Sequence, residues 1–285
     1  MEGSLNSLAL LVNYILVPGL AYGSQLALGA LGVTMIYAVL NFSNFSHGEI
    51  MSFGAMITIL VTYWFQGLGI SVHPLPTALI ALPVGIGGAI LLCLLLDRLV
   101  FRFYRNQRAN SVTYLIVSIG VMFVIGGITR FIIGPDDRNF NDGERFILKA
   151  RAFKEMTGLS EGVAIKSSQA ITVASAFIVV AAVFWFLSHT RTGKSMRAYS
   201  NNPDLALLSG IDPDRVVVIA WVITAGLAAT AGTLYGLDKS YKPLVFLHLV
   251  LPIFAAAIVG GVGSPLGAIV GGFVIAFSEL FITFA

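Results

Sequence analysis

A histidine and a glutamate stand two residues apart in Asn41-Phe-Ser-Asn44-Phe45-Ser-His47-Gly48-Glu49, a polar interruption between two apolar runs. Imidazole and carboxylate at that spacing could line a path for a polar solute, or lock a helix break by bonding the backbone groups that the break frees. The plainer alternative is an interfacial turn in which Asn44 caps a helix beginning near Gly48. If the flanking runs cross a bilayer, a carboxylate near its centre costs about 2.5 to 3.5 kcal/mol on insertion scales, so Glu49 is expected to face protein, a cavity or the interface.

A second interruption, Gly260-Gly261-Val-Gly263-Ser264-Pro265-Leu-Gly267-Ala-Ile-Val-Gly271-Gly272, contains two overlapping GxxxG spacings, Gly263/Gly267 and Gly267/Gly271. Residues four apart share a helix face, and glycine there lets another backbone approach closely. Ser264 fits as N-cap and Pro265 as first-turn residue of a new helix, whose free amides could also face a carboxylate in a cavity.

Enzymatic signatures are missing. Thr192-Gly193-Lys194-Ser195 contains the GKS of a phosphate-binding loop, but that loop needs a glycine where Ser188 stands. HExxH, a paired His/Cys cluster and GxSxG are also absent, so the chain is read as a non-enzyme that binds no nucleotide, metal or other cofactor itself. His73, His189 and His248 read as interfacial, and Trp64, Trp185 and Trp221 as an aromatic belt.

The elements that hold these residues must be membrane helices. Across 285 residues 57% are hydrophobic and 11% charged, and the mean hydropathy is +0.88, which leaves too little polar surface to coat a soluble globule. Apolar spans fall at about Leu8–Leu40, Ile50–Phe65, Leu75–Leu96, Val112–Ile133, Ala170–Leu187, Val216–Leu237, Phe246–Val262 and Leu266–Phe284. The expected fold is an all-α polytopic membrane protein of about eight apolar spans with broken or re-entrant helices, forming one domain over 1–285. The first span is longer than a perpendicular crossing and carries Gly19, Gly23, Gly29 and Gly32, so it is expected to tilt, kink or break. The N-terminus lacks the basic flank of a cleavable signal, so this span reads as retained. Cys93, the single cysteine, lies in an apolar run and reads as a small buried residue.

Charge sets the orientation. Arg98, Arg102, Arg105 and Arg108 crowd one short loop, and Arg191, Lys194, Arg197 and Arg215 mark a second, at 188–215; both belong in the cytoplasm. The 134–167 segment has six acids and six bases, as suits an external loop, with one short helix expected around Ala150–Thr157. Counting crossings puts the N-terminus outside and returns the chain to that side near Phe284.

Within the second cytoplasmic loop, Arg197 to Ile211 has a helical core. Ala206, Leu207, Leu208 and Ile211 can form a small apolar knob between Pro203 and Asp204 at the start and Gly210 at the end, with Arg197 and Arg215 as a charged rim. An amphipathic helix lying at the membrane surface is the alternative.

In order and spacing the chain resembles the LivH-type permease subunits of ABC importers for branched-chain amino acids. Four blocks carry the likeness: Asn44-Phe-Ser-His-Gly-Glu49; Asp97-Arg98 with Arg102 and Arg105; Arg197-Ala198 through Ala206 to Gly210-Ile211 and Asp214-Arg215-Val216; and Gly260-Gly-Val-Gly-Ser264 with Gly267-Ala268 and Gly271-Gly272. The resemblance implies a bacterial inner-membrane importer in which this chain pairs with a second permease, as a heterodimer. Two cytoplasmic ATPases would hold ATP and Mg, and an external binding protein would deliver the ligand; nucleic acid has no part. Arg197–Ile211 would then be the element that docks on an ATPase, and His47, Glu49 and the Ser264 break would flank the route. Urea, short amides or other amino acids are alternative cargo. A secondary transporter or channel would need an ion relay, for which Glu49 and Glu279 are almost the only acids near the spans; a scaffold without cargo is a third reading. Three departures from the family pattern are Phe103 after Arg102 where proline is frequent, Pro252 where lysine is frequent, and an end at Phe284-Ala285 before the family's last span and basic tail.

Overall fold

The computed structural model describes residues 2–71, 73–140, 143, 145–157 and 162–284. Its helices are α1 (Glu2–Leu11), α2 (Val17–Leu40), α3 (His47–Gly67), α4 (Ala78–Leu96), α5 (Arg102–Asn106), α6 (Ser111–Ile133), α7 (Ala150–Thr157), α8 (Ser167–His189), α9 (Arg191–Asn201), α10 (Pro203–Leu208), α11 (Pro213–Lys239), α12 (Val245–Gly260) and α13 (Pro265–Phe284). Single π-helical turns, Val12–Leu16 and Asp97–Phe101, join α1 to α2 and α4 to α5. Among the described residues seven helices are long and apolar enough to cross a membrane, and α12 is a shorter apolar helix. This is the expected polytopic all-α architecture. The first span is one continuous helix from Asn6 to Leu40 with a π turn in it.

α2 and α11 form the enclosed centre, while α4, α8 and α13 lie mostly at the rim. Lipid tails are as apolar as leucine, so close packing rather than escape from water must hold such helices together. The sequence supplies it with notches: the rings of Phe277 and Phe273 on α13 occupy the spaces left by Gly19 and Gly23 on α2. Gly267 of α13 lies against the Gly260 carbonyl, and Gly271 against that of Ala256. Gly263, by contrast, lies in the turn and faces open space, so the Gly263/Gly267 pair does not pack helices; Gly260 on the neighbouring helix does.

The helix ends follow local chemistry. Asn110 caps α6 by accepting from Thr113 N at 2.9 Å, Asp212 caps α11 ahead of Pro213, and Ser264 caps α13 by accepting from Gly267 N at 3.2 Å. α2 ends with Asn41 in the left-handed region at φ 53°.

Tyr14 and Phe284 meet at 5.4 Å between ring centroids, so the first span begins and the last span finishes at the same end of the bundle, as the count of crossings expects. The described residues of the 134–167 segment lie over that end. The segment carries α7 where a short helix was expected, and an antiparallel pair, β1 (Phe146–Leu148) and β2 (Ile165–Lys166), in the register Phe146 to Lys166. Asn13 accepts from Ala164 N, Tyr63 donates to Asn139 O, and Arg138 bridges Tyr241 through the backbone, so the segment is stitched to the π turn before α2, to α3 and to the α11–α12 connector.

Candidate functional site

α9 and α10 project from the other end of the bundle. The 188–215 loop is two helices with a break at Asn202, where the side chain accepts from Leu205 N at 3.1 Å and Pro203 opens α10. Gly210, at φ 79°, allows the reversal by which Ile211 N reaches Ala206 O, closing the short helix. The exposed knob consists of Leu205, Leu207 and Leu208, the last 86% exposed. Ala206 is buried, contrary to its expected place on the knob, because the helix turns that face back onto the body. Ile211 is likewise half-buried and packs on the core, whereas Asp204, Arg197 and Arg215 remain exposed.

The root of this loop is clamped. Asp97, buried on the π turn after α4, accepts from Trp221 Nε1 at 2.9 Å and from Arg105 Nη1 at 2.8 Å and Nη2 at 3.3 Å. Arg105 also approaches Asp214 at 3.6 Å, and Arg102 meets the same carboxylate at 3.3 Å. Asp214 begins α11, directly after the knob, so the Arg-rich turn and the projecting loop share one set of ion pairs. An aromatic ladder continues from Trp221 through Phe101 and Phe42 to Tyr114. Trp221 is therefore a fully buried anchor, not part of an interfacial belt; Trp64 and Trp185 are exposed as a belt requires.

From Phe42 the chain climbs back along α2. Asn41 O accepts from Ser111 at the foot of α6, yet His47, six residues on, lies against Gly32, nine residues back on α2 and so about 13 Å along its axis. This is the irregular backbone expected at membrane depth, and protein encloses it: Phe45 N donates to Ser118 Oγ, and the Phe45 ring stacks on Phe254. Asn44 does not cap α3. Its Oδ1 instead accepts from Ser46 N and Ser46 Oγ, turning the connector, and α3 starts at His47 without a side-chain cap.

His47 is 1% exposed. Neither ring nitrogen has a hydrogen-bond partner among the described residues, although the Gly29 carbonyl faces it. Glu49 is also buried and points at α6, where a Cβ on Gly126 would stand 3.0 Å from both Glu49 Oε1 and Arg130 Nη2. The missing side chain leaves a gap across which carboxylate and guanidinium face each other, with no direct ion pair among the described residues. Arg130 reaches back along α6 instead of out past its end.

Residues 15–285 match the family described as branched-chain amino acid transport system, permease component. The chain belongs to that family. LivH of Escherichia coli, a high-affinity branched-chain amino acid transport system permease protein, is 28% identical over 270 residues, 92% of this chain and 82% of its own length. BraD of Pseudomonas aeruginosa, described in the same words, is 29% identical over 269 residues, 93% of this chain and 84% of its own. The fructose import permease protein FruG of Bifidobacterium longum is 28% identical over 166 residues, 56% of this chain and 48% of its own. No solved structure matches the chain.

The permease does not gather its expected site residues at one place. Arg197, Pro203, Asp204, Leu207 and Gly210 lie at the projecting loop; Asn44, His47 and Glu49 at the connector; Ser264, exposed, at the α12–α13 turn. α12 touches Gly48 through Phe246 and Val250 and carries the Ser264 turn at its other end, so no hydrogen bond or ion pair among the described residues joins Ser264 to His47 or Glu49. Sequence reasoning missed Asn202, Leu205 and Arg130. An asparagine before proline and a lone arginine inside an apolar run were the available signals.

Proposed function

We propose that this permease is one half of the pore of an ABC importer for branched-chain or other hydrophobic amino acids. It sits as a multi-pass protein in a bacterial inner membrane with its N-terminus external. A second, different permease subunit completes the pore, two cytoplasmic ATPases carry ATP and Mg, and an external binding protein delivers the amino acid. The knob of Leu205, Leu207 and Leu208 on α10 is the observation that carries this reading. Three exposed leucines on a short, well-capped helix suit insertion into an apolar cleft of a partner, with Arg197 and Asp204 on the rim. Closure of the ATPases on ATP would then move α10, and through Asp214, Arg105 and Asp97 the helices that flank the route past His47 and Glu49. The cargo class rests on the similarity to LivH and BraD.

Gentle extraction of the tagged protein from its native membrane, with mass spectrometry of what accompanies it, tests the assembly. Two ATPase copies and a second permease are expected; an ATPase-free oligomer from intact complexes would sink the importer reading. Reconstituted with its binding protein, the complex should take up leucine. A sugar is the second cargo class, favoured by the partial similarity to FruG, and uptake of fructose in place of leucine would establish it.

A further inference from the structure

At the end of the bundle opposite the Arg-rich turn, a cavity of about 620 Å³ lies between the start of α8, the end of α11 and the residues Asn139, Phe140, Gly143 and Arg145. Its size falls within the roughly 300–1,000 Å³ of small-molecule sites. Three kinds of group meet on its wall. Asp238 presents a carboxylate, steadied by a hydrogen bond from Ser168 Oγ at 3.2 Å. Lys166 and Arg145 supply positive charge, and the start of α8 adds the positive end of a long helix. Phe140 and Ile171 give an apolar surface, both half-buried and backed by the core. Lys239 also borders the cavity, but its ammonium rests 4.3 Å from the centre of the Tyr22 ring and is already engaged. Among the described residues neither Asp238 nor Lys166 forms an ion pair. Charges of both signs are therefore displayed in one cavity with no direct ion pair joining Asp238 to Lys166, although the Asp238 charge is also felt by the neighbouring Lys239.

We infer that this cavity is a binding site for a free zwitterionic amino acid with an aliphatic side chain. Asp238 accepts from the ammonium, Lys166 and Arg145 donate to the carboxylate, and the side chain lies on Phe140 and Ile171. The inference rests on the amino-acid cargo proposed above and adds to it a binding site built from this chain's own residues. Such a site gives the permease a selectivity of its own at this end of the bundle, because a solute lacking either charge leaves one wall unpaired.

The test is equilibrium binding of tritiated leucine to the complex as it assembles in the membrane, held in lipid nanodiscs without binding protein. Saturable binding is expected, weakened roughly tenfold or more by Asp238→Asn and by Lys166→Gln at equal recovery of assembled complex. Isopentylamine, which lacks the carboxylate, should lose competition only in Asp238→Asn. Isocaproate, which lacks the ammonium, should lose it only in Lys166→Gln. No saturable binding, or binding of unchanged strength in both variants, overturns the site. Leucine import by the same complex, reconstituted with its binding protein and measured in parallel, separates the two ideas: import without binding removes this site alone, and neither import nor binding removes the cargo assignment as well.

Discussion

Asp97 and Glu49 are both buried carboxylates in the same bundle, and the chain treats them differently. Asp97 receives three hydrogen bonds from two side chains, one of them charged. Glu49 faces Arg130 across the space at Gly126, and its neighbour His47 has both ring nitrogens unpaired among the described residues. A charge that is fully paired fixes the elements that pair it, whereas one with room beside it leaves its surroundings free to rearrange or to admit water. The Asp97 end accordingly suits transmission of force from the projecting loop, and the Glu49 end suits a wall that changes shape.

The largest effect should come from breaking the paired end. Asp97→Ala strands the Trp221 N–H and leaves the Arg105 guanidinium with only the exposed Asp214 carboxylate at 3.6 Å; removing one partner of a buried pair costs about 3–5 kcal/mol, and the remaining Asp214 contact puts this loss at the lower end of that range. A marked fall in the denaturant midpoint of the purified protein is expected; an unchanged midpoint would mean that the cluster pins nothing. Next comes Gly267→Leu, where the new side chain overlaps the Gly260 carbonyl and must pry α12 from α13, at about 1–3 kcal/mol or more. Normal assembly and stability after that change would count against the close backbone contact.

These two sites also differ in how far the sequence discloses them. The spans, the Ser264 cap and the helix at Ala150–Thr157 follow from local hydropathy and end chemistry, and the fold bears them out. What joins Asp97 to Trp221 acts across 124 positions, and no local pattern encodes it; a tryptophan near a span end reads equally well as a belt residue. GxxxG names a face that accepts a close neighbour but not the neighbour, which is why Gly263 was expected where Gly260 packs. Ala206 was misplaced for a similar reason. On a helix of six residues the sequence pattern is too short to define a buried face, and the packing of α9 and α10 decides it.

A smaller stability change, with a larger functional one, is expected at the unpaired end. Glu49→Gln keeps the shape and removes a charge that is already costly to bury, so stability should move by less than about 1 kcal/mol. Uptake should nevertheless fall, because the field that holds Arg130 back along α6 is gone. If instead Glu49→Gln destabilises the protein as much as Asp97→Ala, the contrast between the two carboxylates fails and Glu49 is a second structural pin.

Leu208→Ser should disturb the fold least. The side chain is 86% exposed, and surface substitutions of this kind stay within about 0.5 kcal/mol. Its predicted consequence lies in assembly: fewer ATPase subunits should accompany the variant out of the membrane, while Asp97, Arg105 and Asp214 keep their contacts and the denaturant midpoint holds. Undiminished recovery of the ATPases would show that α10 is held in place without being gripped. The clamp at Asp214 would then have to serve something other than the knob beside it.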